Sequence, residues 1–163
     1  RAGSGWRRAE EGKSGEKGEG DSKMDDRELI AQARRARQNA YCPYSSFAVG
    51  AALLAGSGRV YLGANCENVS FGATICAERA ALAAALTAGE RRFVTLAVAA
   101  GDTPVAPCGI CRQMLAEFGA LTVLRAAAEG EAVLRTTLSA LLPEAFAQFH
   151  PDSETEGRVS ADE

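Results

Sequence analysis

Residues 76–88 have the sequence CAERAALAAALTA, an almost unbroken run of residues with high helix propensity. Gly89 follows this run, at the position where a glycine commonly ends a helix in a left-handed conformation. A second helix is predicted over residues 108–118, between Pro107 and Gly119. Both predicted helices begin at a cysteine, so the two central helix starts of the chain each carry a thiol.

Weaker patterns around these two helices complete an alternation of strands and helices. They predict, in chain order, a helix that starts near residue 25 and ends before Pro43, a hairpin of strands 48–54 and 60–64, strands at 94–100 and 121–125, and a short helix within 137–142. Strands that are separated by helices are typical of parallel neighbours in a sheet covered on both faces, and the hairpin adds an antiparallel pair. The pattern therefore predicts an α/β fold.

Composition and charge limit the class of protein. A chain of 163 residues with 47% hydrophobic residues is long enough for one core and too short for two sizeable domains. No apolar stretch reaches the roughly 20 residues that a membrane-spanning helix needs, so no membrane association is expected. The 18 basic and 21 acidic residues give a net charge of −3, the opposite of a surface that binds phosphates, so no nucleic-acid partner is expected.

The chain ends and the cysteine count complete this outline. Residues 1–23 are rich in glycine, serine and charged residues and are predicted to be disordered, residues 24–150 to form the domain, and residues 151–163 to be flexible. The chain has five cysteines, an odd number that cannot all pair as disulfides, and no secretory signal is recognisable. Both features indicate a reducing compartment, so we expect a cytoplasmic protein. Cys42 and Cys66 stand outside the helix starts and are expected to be small buried residues.

The helix starts carry a constellation that suits zinc chemistry. Cys108 and Cys111 are separated by two residues at a helix start, which places both sulfurs on one side of the helix. With Cys76 they supply three ligands, and a tetrahedral zinc ion held by three protein ligands keeps the open position typical of catalytic sites. A non-ligand glutamate two residues after the first ligand, here Glu78, followed by Pro-Cys-x-x-Cys is the pattern of zinc-dependent base deaminases.

The chain resembles a known family over residues 41–146. The matching segments are CPYSSFAVGAAL at 42–53, NCEN at 65–68, TICAER at 74–79, PCGICRQ at 107–113 and LLP at 141–143. These segments resemble the small homotetrameric cytidine deaminases. The resemblance implies a three-layer helix-sheet-helix sandwich with a five-stranded mixed sheet, one zinc ion per subunit, and active sites at subunit contacts. It also implies hydrolytic deamination of cytidine and 2′-deoxycytidine in pyrimidine salvage.

The resemblance further implies a role for individual residues. Glu78 would carry protons between water, the ring nitrogen N3 and the departing ammonia. Asn65 and Glu67 would hold the ribose hydroxyls, and the backbone N–H of Ala77 would donate to the base carbonyl. The pattern of residues alone also fits an exposed turn at Asn65 and Glu67.

Three further residues are candidates for the site, and two of them also have an ordinary interpretation. The resemblance implies that Phe47 and Phe146 pack on the pyrimidine or the sugar, with Phe146 supplied by a neighbouring subunit. Arg79 would offset the negative charge of the three thiolates. The alternative interpretations are a core residue for Phe47 and a surface charge for Arg79.

Other functions fit parts of the pattern. A redox motif would use Cys108 and Cys111 alone and would leave Cys76 and Glu78 without a role. A structural zinc module would bind the ion without catalysis. Blasticidin-type antibiotic deaminases share the cysteine motifs but lack the Asn-x-Glu-Asn run, and polynucleotide-editing deaminases usually carry histidine in place of Cys76. These alternatives predict different outcomes for zinc content and ammonia release.

Overall fold

The computed structural model describes residues 24–146, and the two tails predicted at 1–23 and 151–163 lie outside this range. The elements, in chain order, are α1 (Asp26–Arg37), β1 (Val49–Ala55), β2 (Val60–Ala64), α2 (Ala77–Thr87), β3 (Phe93–Ala100), α3 (Gly109–Ala116), β4 (Thr122–Ala126), β5 (Val133–Thr137) and α4 (Leu138–Leu141). Every helix and strand predicted from the residue pattern is present. None of the helices within 24–146 has the length and apolar character needed to cross a membrane.

The five strands form one mixed sheet in the order β2-β1-β3-β4-β5. Strand β1 pairs antiparallel with β2 and with β3, whereas β3 and β4 are parallel neighbours. Strand β5 pairs antiparallel with β4 at the edge of the sheet. The five strands that the resemblance predicted are confirmed. The residue pattern alone predicted four, because β5 is a five-residue edge strand with mostly exposed side chains.

Helices cover both faces of the sheet and give the predicted three layers. On one face, Leu29 and Ala33 of α1 pack with Ala52, Ala97 and other small or branched residues of the central strands. On the other face, α2, α3 and α4 enclose a second cluster of buried residues. The small side chains let both helical layers approach the sheet closely, and this closeness fixes where the first turn of α2 lies.

Gly63 of β2 determines the approach of α2 to the sheet. A Cβ atom at this position would lie 2.2 Å from the carbonyl oxygen of Ala77 and 2.4 Å from the backbone nitrogen of Ala81. These neighbours are backbone atoms, so the helix itself would have to shift. The first turn of α2 is therefore held at a distance that only glycine permits.

Gly63→Ala is expected to destabilise the protein by at least the ~1–3 kcal/mol typical of overpacked cores, because α2 must move away from β2. Urea unfolding would measure the change. Gly72→Ala is the matched control, since no atom lies within 4 Å of a Cβ built there. Equal stability of the two variants would show that the contact with α2 is not restrictive.

The structure contradicts the expectation that Cys66 is buried. Cys42 is half-buried, but Cys66 is exposed. Cys66 lies beyond the end of β2, where its backbone N–H donates to Ile75 and its carbonyl accepts from Ile75, both at 2.9 Å. The prediction that Cys66 is buried was wrong, because its backbone pairing leaves the side chain outside the two core clusters.

Glu90, just after α2, anchors the turn between β1 and β2. Its Oε1 atom accepts hydrogen bonds from Ser57 Oγ at 2.6 Å, Arg59 Nη2 at 2.8 Å and Tyr61 Oη at 3.2 Å. The hydrogen bond from Ser57, followed by that from Arg59, lowers the pKa of the Glu90 carboxyl below its ordinary value. The ionised carboxylate is therefore the form that this cluster stabilises.

Glu90→Gln is expected to be less stable than the wild type at pH 7. Because the folded pKa is lowered, the contribution of the carboxylate is complete above the ordinary value of 4.5 and is lost as the pH falls through the folded value. Urea unfolding of both proteins at several pH values would measure the difference. A difference that is the same above and below this window would contradict an ionic role for Glu90.

Candidate active site

The three cysteines of the predicted zinc site lie at the starts of α2 and α3. Cys76 is the residue that caps the N-terminus of α2, and Cys108 caps α3. Both have extended backbone conformations, and neither side chain caps its helix by a hydrogen bond. Cys111 lies in the first turn of α3 and is fully buried. Helix starts also present a positive partial charge, which favours thiolates there.

The sulfur atoms have the spacing that a zinc ion requires. Cys108 Sγ lies 3.8 Å from Cys76 Sγ and 3.5 Å from Cys111 Sγ. All three lie within 4.8 Å of one another. Tetrahedral ligands at the usual zinc–sulfur distance of about 2.3 Å are separated by about 3.8 Å, so two of the three sulfur–sulfur separations lie close to the value that a bound zinc ion needs. We refer to Cys76, Cys108 and Cys111 as the thiol group.

The environment of the thiol group affects the three pKa values differently. Burial raises the pKa of Cys76, and it raises that of Cys111 strongly. Burial would also raise the pKa of Cys108, but hydrogen bonds from the backbone and side chain of Cys111 outweigh it and lower the value. Deprotonation of all three thiols therefore needs a cation, and binding of that cation must release protons.

Glu78 lies beside the thiol group but is not part of it. It is the second residue of α2, and its side chain is only 5% exposed. Burial raises the pKa of its carboxyl above the ordinary value. A carboxyl with a raised pKa is suited to general acid–base catalysis, because it takes up a proton more readily than an ordinary glutamate and can release it again.

The positively charged guanidinium group of Arg79 lies near the thiol group. Its Nη2 atom donates to the carbonyl oxygen of Thr74 at 2.5 Å, whereas its Nε atom is buried without a hydrogen-bond partner within residues 24–146. Burial opposes the charge, but interactions with Cys76, above all, outweigh burial and raise the pKa of Arg79. A free buried donor next to thiols suits a site whose sulfurs are negatively charged when they hold a metal.

A cavity of about 240 Å³ brings most predicted site residues together. Seven of the ten line it, and five of these are not cysteines: Phe47, Asn65, Glu67, Ala77 and Glu78. Cys76 and Cys108 also contribute to the lining. Phe47 is 44% exposed and Asn65 only 8%, so Phe47 is not a core residue and Asn65 is not part of an exposed turn.

Asn65 and Glu67 follow β2, and the chain near Tyr41 fixes them. The backbone N–H of Tyr41 donates to Asn65 at 2.9 Å, and that of Glu67 donates to Tyr41 at 2.8 Å. The Asn65 side chain accepts from the N–H of Val49 at 2.8 Å and donates to the carbonyl oxygen of Phe47 at 2.9 Å. Its amide retains one N–H and one lone pair for a ligand.

Phe146 is not among the residues that line this cavity, and its side chain is 69% exposed. Gln113 of α3 holds its backbone at two points. Gln113 Nε2 donates to the Phe146 carbonyl oxygen at 2.7 Å, and the N–H of Phe146 donates to Gln113 Oε1 at 3.2 Å. The position of Phe146 is therefore set from α3, the helix that carries Cys111.

The sequence prediction missed two residues that organise the site, Gln113 and Ser45. Ser45 lines the cavity and hydrogen-bonds Glu67. Neither residue type indicates a function by itself, and their only signal was their place inside segments that match the resembled family.

Comparison with known proteins agrees with this geometry. Residues 23–127 match the sequence model of a family described as the cytidine and deoxycytidylate deaminase zinc-binding region. The chain belongs to this family. Cytidine deaminase of Sporosarcina psychrophila is 48% identical over 128 residues, which are 77% of this chain and 93% of that protein. Cytidine deaminase of Halalkalibacterium halodurans is 50% identical over 127 residues, 76% of this chain and 95% of that protein.

Solved structures of cytidine deaminases share the fold. The crystal structure of the enzyme from Burkholderia pseudomallei has a TM-score of 0.72 and 46% identity, covering 76% of this chain and 100% of that one. The enzyme from Mycobacterium tuberculosis has a TM-score of 0.65 and 42% identity, covering 77% and 99%. Membership of a zinc-binding deaminase family and the spacing of the thiol group together identify zinc as the metal, with one thiol group per chain.

Proposed function

We propose that this protein catalyses the zinc-dependent hydrolytic deamination of cytidine and 2′-deoxycytidine to uridine and 2′-deoxyuridine, with release of ammonia, in pyrimidine salvage. The observation that carries the proposal is a single cavity in which a buried carboxyl, two sulfurs of a three-thiol group and the polar side chains of Asn65 and Glu67 meet. Membership of the cytidine and deoxycytidylate deaminase family supports the choice of base.

The chemistry requires a nucleophile and a proton carrier. Cys76, Cys108 and Cys111 would hold zinc, which supplies the Lewis acidity that makes water a nucleophile at neutral pH. Glu78 would accept a proton from the attacking water and deliver it to N3 of the ring. It would then take the second proton of that water, from the hydroxyl group now on C4, and pass it to the departing amine as the C4–N bond breaks. Water and cytidine are thus converted into uridine and ammonia without any other reactant.

The cavity offers a contact for each part of a nucleoside. The N–H of Ala77 lies in the first turn of α2, where it has no acceptor within the helix, and would donate to the base carbonyl. Phe47 offers an aromatic face for the pyrimidine, and Asn65 and Glu67 offer polar atoms for the sugar hydroxyls. The negative charge of Glu67 disfavours a phosphate next to the sugar, so nucleosides are the proposed substrates.

The proposal includes a cytoplasmic homotetramer with shared active sites. Phe146 projects outside the cavity of its own chain, as expected of a residue that serves the site of a neighbouring subunit. The clamp from Gln113 would hold it in place for that purpose. A reducing compartment suits a site that depends on three unpaired thiols.

The decisive experiment combines a zinc determination with an ammonia-release assay on cytidine, 2′-deoxycytidine, cytosine and cytidine monophosphate. We expect one zinc ion per chain and ready turnover of both nucleosides, with much slower turnover of cytosine and the nucleotide. Chelation should abolish activity, and added zinc should restore it. If zinc-loaded protein released no ammonia from cytidine, the proposal would be rejected. If cytidine monophosphate were turned over fastest, the nucleotide would take the place of the nucleosides as the proposed substrate.

A further inference from the structure

The loop at residues 42–47 folds against the carboxylate of Glu67. The backbone N–H groups of Tyr44 and Ser45 donate to Glu67 Oε2 at 2.9 Å and 3.2 Å, and the Ser45 hydroxyl donates to Oε1. The same hydroxyl oxygen accepts the N–H of Phe47 at 3.0 Å. A single side chain, Ser45, thus connects the carboxylate on one side of the cavity with the backbone of its aromatic residue.

These hydrogen bonds keep Glu67 ionised and limit what it can bind. The hydrogen bond from Ser45 is the largest cause of a lowered pKa at Glu67, and the two backbone N–H groups act in the same direction. An ionised carboxylate only accepts hydrogen bonds, about two per oxygen. Oε2 already accepts two and Oε1 one, so the free acceptor position lies on Oε1, the oxygen that the Ser45 hydroxyl contacts.

The loop has a conformation that presents these donors. Ser46 has a φ of 56°, in the left-handed region that non-glycine residues seldom adopt. Its N–H donates to the carbonyl oxygen of Cys42 at 3.0 Å, which closes the turn. The two N–H groups that precede Ser46 point at the carboxylate as a consequence of this turn, whereas the hydroxyl of Ser45 is a side-chain contribution that can be removed by itself.

We infer that Ser45 is a positioning residue for sugar recognition: its hydroxyl orients Oε1 of Glu67 toward a sugar hydroxyl and couples that contact to Phe47. The inference rests on the proposed function, in which Glu67 binds the sugar. Ser45 need not touch the base or the metal, so its removal should affect the preference for a hydroxylated sugar and leave zinc binding and proton transfer intact.

Ser45→Ala is the direct test, because alanine keeps both backbone donors and removes only the hydroxyl. The readout is the ratio of kcat/KM for cytidine to that for 2′,3′-dideoxycytidine, which lacks both ring hydroxyls. We expect this ratio to fall about ten-fold, the scale of one hydrogen bond to a charged group, mainly through KM for cytidine. Ser45→Thr keeps a hydroxyl at an exposed position and should restore most of the ratio.

Ser57→Ala is the matched control, because Ser57 also donates its hydroxyl to a glutamate, Glu90, at 2.6 Å. Ser45 precedes the start of the seven-residue strand β1, whereas Ser57 follows the end of that strand and does not line the cavity. It should lower stability without changing the ratio. In a Glu67→Ala background, Ser45→Ala should have no further effect on the ratio, because the group that it positions is gone.

Several results would overturn the inference: an unchanged ratio in Ser45→Ala, an equal change in Ser57→Ala, or the same loss with and without Glu67. Calorimetry can measure the affinities for uridine and 2′,3′-dideoxyuridine without any turnover. It therefore distinguishes failure of the inference about Ser45 from failure of the proposed function. Protein that releases no ammonia, yet loses its binding preference for uridine in Ser45→Ala, would reject only the proposed reaction. Wild type that binds neither nucleoside would reject both.

Discussion

Glu78→Gln is expected to keep its zinc and to lose about 10²–10⁴-fold in kcat, the usual range for removal of a general acid–base group. The amide has the size of the carboxyl but cannot accept and return a proton. Glu78 is only 5% exposed, and it is not part of the thiol group. Substitution of Glu78 should therefore impair catalysis and leave zinc binding unchanged.

The measurement combines zinc content and kcat on the same preparations of variant and wild type. Glu117→Gln is the matched control, because this exposed glutamate caps the C-terminus of α3 and is not among the residues that line the cavity. It should behave as the wild type in both assays. Near-normal turnover by zinc-loaded Glu78→Gln would remove Glu78 from the mechanism, and loss of zinc would assign it to the metal site instead.

The parts of the fold that could be predicted are those where local residue preference and tertiary structure agree. The run at 76–88 is helical by propensity alone, and the structure places α2 there with Gly89 at a φ of 92°. Cysteines at both helix starts also predicted the thiol group, because the spacing of Cys108 and Cys111 places both sulfurs on one side of a helix turn.

The parts that could not be predicted depend on contacts between distant segments. Strand β5 carries exposed residues and is a strand because it pairs with β4. Cys66 is exposed because its backbone pairs with Ile75 outside the regular sheet. The contacts of Ser45 and Gln113 span 22 and 33 residues of sequence, and no periodicity or composition records them.

The resemblance supplied what residue chemistry alone left open. It predicted the fifth strand, and it selected Asn65, Glu67 and Phe47 from many polar and aromatic residues; the structure places all three in one cavity. Their roles toward a nucleoside remain predictions until the substrate comparisons are made. Phe146 stands apart, because its proposed role depends on a neighbouring subunit.

Cys111→Ala is expected to lose zinc and thermal stability together. Cys111 is fully buried and lies 3.5 Å from Cys108 Sγ, so its removal leaves two thiolates and a gap in the interior. A ligand present at 100 times its dissociation constant stabilises a folded protein by about 2.7 kcal/mol, and this contribution disappears when the site no longer binds. For a domain of this size, the loss corresponds to several degrees in Tm or more.

The zinc-linked part of this loss can be separated from the packing part. Added zinc should raise the Tm of chelator-treated wild type but not that of Cys111→Ala, because only the wild type retains the complete thiol group. Cys66→Ala is the matched control, since Cys66 is exposed and outside the thiol group, and it should keep both its zinc and its response. Full zinc occupancy in Cys111→Ala would exclude Cys111 as a ligand. A lower Tm with an intact response to zinc would reduce its role to packing.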